Sequence, residues 1–197
     1  GEGAALVGVN PLHALFDDEP SRASPYSPST RRFFNPLYLD VEAVEDFADC
    51  ASARELVASA RFQDRLRHQR AASFVEYTGV SHSKLQVLEL LYAHFREHEL
   101  ASSGTRALAF RAFQTGGGDE LRLFATFQAL RAHFATADAR RRHWRYWPEA
   151  YRDPASAAVT EFGADHQVRI EFYEYLQWQI DTQLARCRDA ARAVGMP

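Results

Sequence analysis

Only one run in this chain, Ala4-Ala5-Leu6-Val7-Gly8-Val9, has the length and composition of a buried strand, and it stops at Asn10-Pro11. One strand cannot form a sheet alone, because its backbone donors and acceptors need a neighbouring strand. The only other candidate is a short extended piece at Leu37 to Asp40. After Asp40 the apolar residues fall at helical spacing almost throughout. Pattern alone therefore gives a chain that is mainly α with one or two short strands.

Between the two candidate strands lies a loop of roughly two dozen residues, a length that is uncommon inside a compact domain and is usually functional or disordered. It carries Pro20, Pro25 and Pro28, five Ser/Thr between Ser21 and Thr30, and Tyr26 in the middle. Each proline fixes its own φ and restricts the residue before it, so the loop is expected to be stiff. A stiff loop displaying an aromatic ring and several hydroxyls suits recognition. A flat ring with a hydroxyl at its edge fits a sugar face; packing against its own loop is the alternative for Tyr26. Ser24 and Ser27 flank it and can bond a ligand or close turns, with the turn role favoured for Ser27. His13, just past the first run, can donate to a sugar hydroxyl or serve the structure. Asn10 and Asn35 each precede a proline and read as turn caps.

The helical part divides at recognisable signals. Ser52 to about Arg70 is amphipathic, and Ser81 opens a strong helix through Leu85, Leu88, Leu91, Tyr92 and Phe95. Thr105 to Gln114 ends at the breaker Gly116-Gly117-Gly118, and Asp119 caps the next helix, Glu120 to His133. Residues 135–148 read as a loop. Asp153-Pro154 reads as a cap with proline at the first helical position, starting a short helix to Phe162. Asp165 to Val194 is one long helix, with Gly195 at its C-terminal cap. Its aromatic run, Phe172, Tyr173, Tyr175 and Trp178, reads as core.

Several chemistries lack their residues. His94 and His98 make half a metal site at most, with no third ligand in view, and no metal is expected. The triple glycine lacks the Lys-Ser/Thr of a phosphate loop. Arg140-Arg141-Arg142 reads as a solvated turn. Net charge is −3 without a basic patch, so nucleic acid is not an expected partner. No apolar run reaches the ~18–20 residues of a membrane span. Cys50 and Cys187, far apart in sequence, read as free thiols of a reducing compartment. With no signal-type N-terminal segment, a cytoplasmic location is expected. The chain opens almost directly on its first apolar run and closes on Val194-Gly195-Met196-Pro197, so it reads as a segment of a longer protein.

Three stretches of the loop region are distinctive: Val9-Asn10-Pro11-Leu12-His13-Ala14-Leu15-Phe16, Ala23-Ser24-Pro25-Tyr26-Ser27-Pro28-Ser29, and Asn35-Pro36-Leu37-Tyr38-Leu39-Asp40. Phe74-Val75-Glu76-Tyr77 with Lys84, Trp147-Pro148-Glu149-Ala150-Tyr151, and Phe172-Tyr173-Glu174-Tyr175-Leu176-Gln177-Trp178-Gln179 follow in order. Together they resemble the 4-α-glucanotransferases, the amylomaltases or disproportionating enzymes of glycoside hydrolase family 77, and within it the longer bacterial type. The resemblance implies that the segment is an excised part of a (β/α)8 (TIM) barrel plus its helical insertion. Residues 1–40 would be a barrel strand and substrate-cleft loop, 41–150 a helical insertion, and 151–197 a long helix returning to the barrel. It implies an α-1,4-glucan or maltooligosaccharide substrate, with Tyr26 lining the cleft beside the scissile bond, and transfer by a retaining double displacement without a cofactor.

Retaining transfer needs two carboxyl groups ~5–5.5 Å apart. Asp17-Asp18-Glu19 is the only acidic cluster in the loop, and adjacent positions do not make an opposed pair. The resemblance places the catalytic carboxylates outside this segment, so no catalytic residue is assigned within it. An α-glucan hydrolase of the same fold and a non-enzymatic helical interaction module are the rival readings.

Overall fold

The computed structural model describes residues 8–16, 19 and 21–196. After the loop the chain forms α1 (Ala51–Ala58), α2 (Ala60–Ala71), α3 (Tyr77–Phe95), α4 (Thr105–Ala137), α5 (Ala157–Asp165) and α6 (Gln167–Ala193). Short 3-10 turns lie at Pro36–Tyr38, Glu45–Phe47, Ala139–Arg142, Trp144–Tyr146 and Glu149–Tyr151. A single π turn, Arg96–Leu100, follows α3.

The expected strands and the barrel expectation are corrected. Residues 4–7 of the first run lie outside the described residues, and Gly8 and Val9 are exposed and irregular. Leu37 to Asp40 forms no strand either, its first two residues lying in a 3-10 turn. Asn35 accepts from the Leu37 amide at 3.0 Å, Pro36 supplies a pre-set φ, and the Leu39 amide returns to the Pro36 carbonyl at 3.1 Å. Local capping thus winds this piece into a 3-10 turn. Among the described residues no strand forms, and the one β-type contact is an isolated antiparallel bridge between His13 and Phe34. Nothing described here supplies a sheet on which a barrel could be built.

Helix boundaries differ from the sequence reading where a side chain captures the backbone. Ser52 to Arg70 is two helices, because Ser59 accepts from the Phe62 amide at 3.3 Å and donates to the Leu56 carbonyl at 2.7 Å. One hydroxyl ends α1 and caps α2. α3 begins a turn earlier than Ser81, since Glu76 accepts from the Gly79 amide at 2.6 Å. α5 begins later than Pro154: Asp153 closes a local turn onto the Ala155 amide, and Ser156 caps the helix through the Val159 amide at 3.2 Å. The breaker at the glycines holds. α4 is interrupted at Gly118, whose φ of 51° and ψ of −145° are not helical.

The chain divides into two compact units, one of residues up to Leu91 and from Gln177, the other Tyr92–Leu176. The first buries Leu39, Val44, Cys50, Ala53, Phe62, Val87, Leu88, Leu91 and Ile180. The second is built on an aromatic cluster. Phe95 meets Phe110 edge-on at 5.5 Å, and Tyr175 lies 5.3 Å from both Phe95 and Tyr92. Each such ring contributes ~1.5–3 kcal/mol by burial. In that unit Glu171 and Glu174 are also buried, and an unpaired buried carboxylate costs several kcal/mol. Arg111 pairs with Glu171, and Arg122 approaches Glu174 at 3.6 Å while Gln114 donates to it. Burial nevertheless raises the Glu174 pKa, its hydrogen bond from Gln114 and the Arg122 charge only partly opposing the shift.

Candidate functional site

The loop is closed at its neck. The Ala14 amide donates to the Phe33 carbonyl at 2.7 Å, and the Asn35 amide to the Leu12 carbonyl at 3.0 Å. Buried Ala14 and Leu15 anchor one side. Ser29 reinforces it: its amide donates to the Ala14 carbonyl at 2.8 Å, and its hydroxyl lies 2.9 and 3.0 Å from the carbonyls of Ala14 and Leu15. The neck is short, and described residues above it bond among themselves, Glu19 to Phe16, Arg22 to Glu19 and Ser27 to Ser24.

The tip is a turn. The Ser27 amide donates to the Ser24 carbonyl at 3.1 Å, placing Pro25 and Tyr26 at the two central positions. Proline is favoured at the first of these because its φ is already that of the turn. The consequence is display. Tyr26 is 72% exposed, and Ser24 and Ser27 are exposed beside it, while Pro25 and Pro28 are half-buried. The Tyr26 hydroxyl donates to Asn10 Oδ1 at 3.4 Å, a long bond that steadies the ring without covering it.

The candidate residues fall out as follows. Ser24, Tyr26 and Ser27 are gathered on the exposed tip; Ser27 closes the turn through its backbone. His13 is not at the tip. It sits at the neck, half-buried, opposite Phe34. Asn35 is a buried turn cap, and Asn10 is the acceptor for Tyr26. Of the acidic cluster, Asp17 and Asp18 lie outside the described residues, and Glu19 pairs with Arg22 at 3.2 Å. His94 and His98 stack at 4.1 Å, with His98 Nδ1 3.0 Å from the His94 carbonyl oxygen. Among the described residues no group of three or more His, Cys, Asp or Glu is placed to hold a metal ion, and no helix is long and apolar enough to cross a membrane.

Three residues that support the loop were not legible as such in the sequence. Gln177 exchanges two hydrogen bonds with the backbone of Phe34, both at 2.9 Å. Gln183 does the same with Asp40, at 3.0 and 2.8 Å. Lys84, the one lysine of the chain, donates to the carbonyls of Leu37 and Leu39 at 2.7 and 2.6 Å. The segment that follows the loop is thus held from α3 and from α6. Polar residues inside an apolar helical pattern were the available signal, but their partners are remote in sequence.

A cavity of about 240 Å³ in the second unit is lined mostly by apolar and aromatic side chains, Leu123, Phe127, Trp144, Trp147 and Tyr151 among them, with Thr126 and Arg152 as its polar members. None of these lining residues is a carboxylate.

The family model described as 4-alpha-glucanotransferase matches residues 1–197. A 4-alpha-glucanotransferase of Mycobacterium tuberculosis is 35% identical over 205 residues, covering 98% of this chain and 26% of the relative. One of Haemophilus influenzae is 29% identical over 198 residues, covering 99% of this chain and 28% of the relative. A crystal structure of amylomaltase from Corynebacterium glutamicum superposes with a TM-score of 0.66 at 30% identity, covering 95% of this chain and 23% of that one. The chain spans about a quarter of the length of these relatives.

Proposed function

Because the chain belongs to the 4-alpha-glucanotransferase family, its whole length matching the family model, we propose that the protein containing it transfers α-1,4-glucan chains between maltooligosaccharides. The observation that carries the reading is the family match joined to the exposed Pro25-Tyr26 turn on a hydrogen-bonded loop. In this reading residues 1–40 form part of the substrate cleft. Tyr26 stacks on a glucose ring, and Ser24 and Ser27 border the same face. A sugar presents apolar C–H faces and a rim of hydroxyls, which an amphipathic ring on a rigid support matches at low entropic cost.

The chemistry proceeds by double displacement. One carboxylate attacks the anomeric carbon while a carboxylic acid protonates the leaving oxygen. The glycosyl-enzyme intermediate is then opened by the hydroxyl of a second glucan in place of water. This stretch contributes binding and not the carboxyl pair. Two of its buried carboxylates, Glu171 and Glu174, are engaged by Arg111, Arg122 and Gln114, and a third, Asp46, lies in the other unit. The isolated chain is accordingly inactive. Both cysteines are free, Cys50 buried and Cys187 exposed, which supports a reducing, cytoplasmic setting.

The test is disproportionation of maltotriose by the full-length protein, read by chromatography of the products. Longer and shorter maltooligosaccharides should appear together. Tyr26→Ala should lower kcat/KM roughly tenfold, the equivalent of the ~1.4 kcal/mol that one aromatic contact supplies. Release of glucose and maltose alone, with no longer product, would turn the reading to hydrolysis.

A further inference from the structure

In an antiparallel pair, two opposed residues that do not bond each other direct their own N–H and C=O away from the partner. His13 and Phe34 are such a pair, since the bonds flanking them run from Ala14 to Phe33 and from Asn35 to Leu12. The N–H and C=O of Phe34 therefore face the side where a third strand would lie. Gln177 occupies that side. Its Oε1 accepts from the Phe34 amide, and its Nε2 donates to the Phe34 carbonyl, each at 2.9 Å. One side-chain amide supplies the donor and acceptor of an absent strand. Gln177 is 3% exposed, so water does not compete for these bonds.

We propose that Gln177 is a positioning residue for glucan binding. By holding Phe34 it sets the register of the His13–Phe34 pair, and so the height at which the loop displays Tyr26. This rests on Tyr26 being a cleft residue. A slip by one residue would shift the neck by ~3.3 Å, more than a hydrogen bond tolerates. Gln177 resists that slip because the Phe33 carbonyl and the Asn35 amide point the other way and are already bonded to Ala14 and Leu12. The residue type is also constrained. Glutamate lacks the donor, lysine and arginine lack the acceptor, and asparagine is one methylene shorter.

The experiment uses the full-length protein and compares Gln177→Met, which keeps side-chain length without the hydrogen bonds, with Tyr26→Ala and the double variant. The exchange reporters are the amides of Ala14 and Asn35, because the Phe34 amide would quicken in any variant lacking its acceptor. In Gln177→Met, exchange at both should accelerate roughly thirtyfold, as two net hydrogen bonds are worth. KM for maltotriose should rise with kcat nearly unchanged, as for lost uniform binding. In the Tyr26→Ala background the same substitution should leave KM where it is, because the two act as one unit. Unchanged exchange in folded Gln177→Met overturns the proposal, and so does a KM increase that persists without Tyr26. If Tyr26→Ala alone leaves KM unaltered, the cleft reading fails; if it raises KM and Gln177→Met does not, the positioning role fails. Should Gln177→Met not fold, Gln177→Glu, which loses the donor alone, carries the same measurements, with a smaller acceleration expected because one hydrogen bond is kept, and the same results overturn the proposal.

Discussion

The ammonium of Lys84 lies 2.6 Å from the carbonyl oxygen of Leu39, and the same group reaches the Leu37 carbonyl at 2.7 Å. A lysine with two donors committed to backbone is acting as a clasp. Burial lowers its pKa, partly opposed by the charge of Asp40. Lys84→Met removes two charge-assisted bonds and leaves two carbonyls without this donor. The loss is offset in part because a buried charge disappears. The expected net cost is about 2–4 kcal/mol, read as a lower midpoint in urea unfolding at constant slope. An unmoved midpoint would show that water replaces the clasp at no cost.

Glu174 makes a prediction of opposite sign to ordinary acid unfolding. Its pKa is raised above 4.5, first by burial and further by Glu171, against the pull of Gln114 and Arg122. The folded state therefore binds the proton more tightly than the unfolded chain. Its contribution to stability is complete below pH 4.5 and is lost as pH rises through the folded value. Glu174→Gln abolishes that titration while keeping an acceptor. The stability difference, variant minus parent, should grow from pH 4 toward pH 7 in a series of unfolding curves. A pH-independent difference would contradict it.

Two glycines two positions apart should respond oppositely to alanine. Gly118 has φ 51° and ψ −145°, and a Cβ there would meet nothing within 4 Å, so the penalty is purely conformational. Gly118→Ala should cost ~1–3 kcal/mol, the strain of a backbone region that residues with a Cβ rarely adopt. Gly116 also has open space around its Cβ position and lies in regular helix, so Gly116→Ala should gain about 1 kcal/mol. Thermal unfolding of both variants checks the pair; equal signs would mean that the break at Gly118 is absent in solution.

Tyr26→Phe separates support from recognition. The hydroxyl makes one exposed 3.4 Å bond to Asn10, so its loss should change stability by less than ~0.5 kcal/mol. Maltotriose affinity of the full-length protein should nonetheless fall, by a smaller factor than in Tyr26→Ala, because the ring face remains. A large drop in the melting temperature of Tyr26→Phe would make the tyrosine a structural residue.

The loop shows how far residue types carry. Three prolines and a central tyrosine announce a stiff, displayed turn, and Pro25 and Tyr26 stand at its two central positions with the ring exposed. His13 illustrates the limit. Its place just past the first apolar run made it a candidate beside Tyr26, and the structure puts it at the neck opposite Phe34. Which side of a loop a residue occupies depends on pairing across it, and composition carries no record of pairing. The strand assigned to Leu37 to Asp40 failed for a related reason. Asn35 and Pro36 together favour a turn more strongly than the three apolar residues Leu37, Tyr38 and Leu39 favour extension.

What the sequence determined alone was local: the break at the glycines, the cap at Gly195 with its φ of 80°, the rings of Phe172, Tyr173 and Tyr175 in α6 as core, with Trp178 only half-buried, and the family. These follow from preferences acting over three or four residues, or from motifs read in order. What only the tertiary structure decided was the use of the polar residues within apolar helices. Gln177 and Phe34 are 143 residues apart, as are Gln183 and Asp40. A buried amide must find both a donor and an acceptor, and where it finds them is set by the packing of whole helices, which no short window of sequence contains.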